Sequence, residues 1–98
     1  MVWNTPEIVS YKNVSATQGP FTLRGGNYSI EAHATWGGGS VTLQRQAADG
    51  SSWVTVGAFS AFTADGTQNG NLPGGTYQFL VATATAIYID LVSVVTTL

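Results

Sequence analysis

Alternation with a period of two runs through most of this chain. From Asn27 to Trp36, the residues Tyr28, Ile30, Ala32, Ala34 and Trp36 alternate with Ser29, Glu31, His33 and Thr35. An extended strand sends these two sets to opposite faces, one packed and one wet. Ser40 to Gln46 repeats the pattern, with Val41 and Leu43 set against Thr42 and Gln44. Between these runs, Gly37-Gly38-Gly39 supplies the backbone freedom of a turn or bulge. Asp49-Gly50 is a hairpin signal that returns the chain through Trp53 to Val56. Further on, Pro73-Gly74-Gly75 forces a turn before Thr76 to Val81. The run Ile87 to Val95 is so rich in β-branched residues that it is expected at the centre of a sheet, buried on both faces.

Weaker strand candidates are Glu7 to Tyr11, Val14 to Thr17 and Phe21 to Leu23. Phe59 to Thr63 reads as a short strand or an irregular edge, and Asp65 to Asn71 as a turn rich in Asn and Gly. Thirteen threonines and ten valines, with no capped stretch of helical period, favour strands throughout. The expectation is an all-β fold, a single antiparallel β-sandwich or jelly-roll-like barrel of about seven to nine short strands. The 98 residues suit one domain. It is expected over 7–98, with residues 1–6 as an extended amino-terminal arm.

The chemistry available is sparse. The single histidine, His33, lies two residues from Glu31 on the polar face of its strand, which puts the pair about 7 Å apart. A metal site there would need a third ligand from Asp49, Asp65 or Asp90, and no spacing supports one. The three-glycine run has neither the lysine nor the following helix of a phosphate-binding loop. No cysteine is present. Neither catalysis nor a cofactor is expected of such a residue set. Lys12, Arg24 and Arg45 are scattered singly, which argues against nucleic-acid binding. No apolar run is long enough for a membrane helix, and the amino terminus lacks a secretory pattern, so synthesis in a cytosol is expected.

Only 8% of the residues are charged, against about a quarter in ordinary soluble domains. Sheet edges are commonly protected by lysines, and this chain has one lysine. A neutral polar surface allows close approach of another surface, and interface cores are similarly depleted in charge. A homo-oligomer or a subunit of a larger shell is therefore expected. Candidate partner contacts are aromatic. Trp3, in the polar stretch before Pro6, either anchors the arm to its own domain or docks on a partner. Trp53 alternates with Val54 and is expected on the surface if Val54 and Val56 are the buried pair.

Ser40-Val-Thr-Leu-Gln-Arg45, Asp49-Gly-Ser-Ser-Trp-Val-Thr-Val56, Asn71-Leu-Pro-Gly-Gly-Thr-Tyr77 and Val81-Ala-Thr-Ala-Thr-Ala86 resemble segments of small structural proteins of tailed bacteriophages. The likeness runs from about Trp36 to Val95 and resembles capsid decoration or cement proteins. It implies a β-rich oligomer, a trimer foremost, that binds the major capsid protein on the outside of the phage head and braces the shell. It also implies a virion location after synthesis in the host cytoplasm, and it carries over no catalytic or binding residue. The alternatives are a carbohydrate-binding β-sandwich module presenting Trp36, Trp53 or Tyr88 to sugar rings, and a phage tail or fibre component.

Overall fold

The structure, a computed structural model, describes residues 7–94. Among the described residues eight strands follow one another without a helix: β1 (Ile8–Val14), β2 (Gln18–Leu23), β3 (Gly26–Thr35), β4 (Ser40–Gln46), β5 (Trp53–Thr55), β6 (Gly66–Leu72), β7 (Gly75–Ala82) and β8 (Thr85–Ser93). They form two antiparallel four-stranded sheets, ordered β1-β8-β3-β6 and β2-β7-β4-β5. The fold is the expected all-β sandwich.

The pairing is nested. β1 pairs with β8, β2 with β7, β3 with β6 and β4 with β5, as in one long antiparallel ribbon rolled up on itself. Contacts of β3 with β8 and of β4 with β7 then close each sheet. Only the Asp49-Gly50 hairpin connects neighbours within a sheet, and every other link crosses to the opposite sheet. That connectivity is the jelly-roll form of the sandwich.

Alternation fills the space between the sheets. Tyr28, Ile30 and Ala32 of β3, Val41 and Leu43 of β4, Tyr77 and Phe79 of β7, and Ile87, Ile89 and Leu91 of β8 are buried. Each large apolar side chain removed from water contributes about 1.5–3 kcal/mol. No polar or charged residue is buried among the described residues. The two buried tyrosines are amphipathic, and their hydroxyls reach the ends of the core. Tyr28 Oη accepts from the Gly25 N–H at 3.0 Å, and Tyr77 Oη donates to the Pro73 carbonyl at 2.5 Å.

Several elements differ from expectation. β8 is central, as its composition predicts, but it is buried on one face only, and Tyr88 on the other face is 46% exposed. The candidate at Glu7–Tyr11 becomes β1, which runs on to Val14 with a register shift between Tyr11 and Val14 where Asn13 takes φ 53°, while Ser15 to Thr17 of the second candidate form the link to β2 and no strand. The expected turn at Asp65–Asn71 is instead β6, in unbroken register with β3. Leu72 is its one apolar inward residue, and the other inward positions are Gly66, Gln68 and Gly70, because the segment before it fills that part of the core. Phe59 is buried there, with its ring 3.2 Å from where a Cβ on Gly70 would sit. Phe59–Thr63 forms no strand, only an isolated bridge between Phe62 and Val41. The expected arm at 1–6, and Val95 at the end of the last apolar run, lie outside the described residues.

The passage from β3 to β4 depends on glycine. Gly37 and Gly38 take φ 54° and 81° in a turn closed by the Gly39 N–H to Trp36 carbonyl bond at 2.7 Å. Gly39 then presses against the β7–β8 corner, where a Cβ would lie 2.2 Å from the Ala82 oxygen and 2.4 Å from the Ala84 nitrogen. Gly39→Ala is predicted to cost about 2–4 kcal/mol in urea denaturation, because backbone has to move. Gly57→Ala, whose added Cβ meets nothing within 4 Å, is predicted to change stability by less than about 0.5 kcal/mol.

Candidate partner-contact surfaces

With the core closed and apolar, any function rests on the rims, the outer faces and the edges. The eight charged residues are distributed unequally over them. On the outer face of β1-β8-β3-β6, Glu31 stands directly opposite Asp90, and His33 opposite Tyr88. Ser10 Oγ donates to Asp90 Oδ1, and the His33 and Tyr88 rings lie 6.2 Å apart. Lys12 is exposed on the edge strand β1.

The other sheet presents no charge outward. Val41 and Leu43 point into the core, so Thr42, Gln44 and Gln46 point out, and register continues their rows. Gln44 lies opposite both Gln78 and Thr55, Thr42 opposite Leu80, and Gln46 opposite Trp53. Gln78 Nε2 donates to Gln44 Oε1 at 2.8 Å, which holds the centre of the face in one arrangement. Arg45, the only charged residue in these four strands, shares the inward parity of Leu43. Its Nη2 donates to the Gly74 carbonyl at 2.8 Å at the end of the core. This neutral face was legible from strand parity in β4 and β7, and aromatic residues alone do not reveal it.

The candidate contact residues separate. Trp53 is half-buried on the neutral face beside Gln46, while Val54 is 57% exposed and Val56 packs on the core, so Val54 and Val56 are not both buried. Trp3 lies outside the described residues. Trp36 is half-buried against the core. Tyr88 occupies the outer face of the opposite sheet from Trp53. A cavity of about 300 Å³ opens at the sandwich end between Arg45, Val54, Val56, Pro73 and Tyr77, and Trp53 does not line it.

His33 meets Asp65 rather than Glu31. Asp65 Oδ2 lies 2.6 Å from His33 Nδ1, and Oδ1 accepts from Trp36 Nε1 at 2.8 Å and from the Ala34 N–H at 3.1 Å. The carboxylate thus latches the loop before β6 onto the end of β3. Among the described residues, no group of three His, Cys, Asp or Glu side chains could hold a metal ion. The His33 bond foremost, with those from Trp36 and Ala34, holds the Asp65 carboxyl down at about 2. Asp49 is likewise held at about 2 by the Ser52 hydroxyl, the Ser52 N–H and the Ser51 N–H in the β4–β5 hairpin.

Compared with family models, with curated proteins and with solved structures, the chain matches none.

A carboxylate with a depressed folded-state pKa stabilises the fold above its unfolded value, and that contribution is lost as pH falls through the folded value. Stability is therefore predicted to decline between about pH 4 and about pH 2 as Asp49 and Asp65 protonate. Asp65→Asn should lower the melting temperature at pH 7 and flatten that decline, as followed by circular dichroism against pH.

Proposed function

We propose that this protein is a non-enzymatic virion structural protein, a capsid decoration protein that lies on the outside of a phage head and braces it. The observation that carries the reading is the absence of charge from the outer face of β2-β7-β4-β5 in a chain whose charged residues all lie elsewhere. A face of Thr, Gln, Leu and Trp side chains, with Gln44 and Gln78 bonded across it, can be covered without burying an unpaired ion. The sequence resemblance to phage structural proteins points in the same direction.

The mechanism is mass action. A subunit that binds only the assembled shell stabilises that state, and many weak copies add up over a repeating lattice. The rigid two-sheet core makes each copy a fixed spacer. The glycan-binding alternative needs two aromatics presented together, but Trp53 and Tyr88 occupy opposite sheets and Trp36 is half-buried. The amino-terminal segment with Trp3 is proposed as a second contact, and removal of residues up to Pro6 should then lower particle occupancy.

Mass spectrometry of purified particles, followed by imaging, should place the chain on the head exterior in repeated copies. Its absence from particles, or a location in the tail, would overturn the reading. The pair Thr55→Lys and Leu80→Lys should reduce occupancy at least about tenfold, since each buries an unpaired charge. Ile8→Lys on the opposite sheet should leave occupancy unchanged.

A further inference from the structure

Each sheet ends in two edge strands, and three of the four edges are blunted. β1 carries Lys12 and a register shift between Tyr11 and Val14. β2 contains Pro20, which has no N–H to offer, and shifts register between Gln18 and Phe21. β5 is three residues long. These are ordinary protections against edge pairing. β6 has none of them: it is seven residues long, Gly66-Thr-Gln-Asn-Gly-Asn-Leu72, without proline or charge, and in register with β3 over its whole length.

The direction of its free backbone groups follows from the ladder. The Val94 N–H bonds the Asn27 carbonyl at 2.7 Å, so Asn27 turns its backbone groups toward the β8 side of β3. Alternate residues of a strand bond to opposite sides, so Tyr28, Ile30 and Ala32 turn theirs toward β6 and bond their partners Gly70, Gln68 and Gly66. Thr67, Asn69 and Asn71 therefore direct N–H and C=O away from the sheet. All three residues are exposed, and among the described residues no backbone bond outside the β3 ladder reaches them.

We propose that this edge pairs with β6 of a second copy, antiparallel across a two-fold axis at Asn69. In that register Asn69 faces its own counterpart and Thr67 faces Asn71, so the outward-directed groups of one copy meet those of the other in about six backbone bonds. A second copy is the occupant because the edge is self-complementary in the way a two-fold contact demands. No charge on β6 meets itself, and the side chains that come together are amides and hydroxyls that both donate and accept. Asp65, just before β6, would lie eight residues along the edge from its own counterpart, about 27 Å, and Glu31 is one strand in from the edge. The two copies of Glu31 would be three strand spacings apart across the sheet and four residues apart along it, about 20 Å in all, beyond the screening length of about 8 Å at physiological salt. The product is one continuous sheet running through both copies. The phage resemblance implies a trimer, but a three-fold ring would need β6 to meet a different edge of its neighbour, and those edges are blunted. This pairing rests on the edge alone, whatever surface the protein lies on.

Sedimentation velocity of the full chain, from about 5 to about 500 μM, tests it, since an edge contact this small belongs at the weak end of interfaces. A concentration-dependent monomer–dimer equilibrium is expected. Asn69→Pro removes only an outward N–H, and proline is tolerated at such edge positions, while Asn69→Lys sets two like charges opposite each other. Each should raise the dimer dissociation constant at least about tenfold, with circular dichroism and melting temperature near those of the native chain. In hydrogen exchange, the amides of Thr67, Asn69 and Asn71 should gain protection with concentration. If Asn69→Pro loses the native fold, Asn69→Lys and the exchange measurement decide. A monomer across the whole range, a trimer, or a dimer unaffected by Asn69→Lys would overturn the proposal.

Discussion

Apolar packing between the two inner sheet faces is the interaction on which the rest of this structure depends. Among the described residues the core contains no buried charged residue, and the hydroxyls of Tyr28 and Tyr77 are bonded at its ends. Every ionisable group is consequently left to rims and outer faces. The sandwich would pack equally well with charges on either outer face, so the absence of charge from the outer face of β2-β7-β4-β5 does not follow from the fold. A neutral face is consistent with a surface made to be covered, as the core of an interface is.

Most of the fold was legible because its strands alternate cleanly. β3 and β7 carry apolar residues at every second position through their cores and β4 does so at Val41 and Leu43, and the Asp49-Gly50 turn announces the one hairpin within a sheet among the described residues. β6 was not legible. Beyond Leu72, its core volume is supplied by Phe59 from the preceding segment, which leaves Gly66, Gln68 and Gly70 at the other inward positions and a composition that reads as a turn. β8 looked doubly buried because Ile87, Tyr88, Ile89, Leu91 and Val92 form a nearly continuous run, yet only the odd-numbered positions among them face the core. Nor does local sequence reveal which strands pair. The contacts of β1 with β8 and of β2 with β7 join segments far apart in the chain, and only the folded arrangement brings them together.

The surfaces divided in the same way. Parity alone marks the neutral rows of β4 and β7, but the Gln44–Gln78 bond that orders them requires the pairing of those strands. The Asp65 latch was invisible for the same reason. His33 and Glu31 are close in sequence and share a face, while the partner His33 actually takes comes from the loop before β6. The exposed edge of β6 and the neutral outer face lie on different sheets, so contact with a second copy and contact with a larger surface need not compete.

In the proposed function, the outer face of β2-β7-β4-β5 is the one that becomes covered. Hydroxyl-radical footprinting of the protein free and bound to purified phage heads tests it at single side chains. Trp53 and Leu80 should lose reactivity on binding, while Tyr88 and Ile8 on the opposite sheet keep theirs. Protection of Tyr88 and Ile8 with Trp53 and Leu80 unchanged would contradict the account.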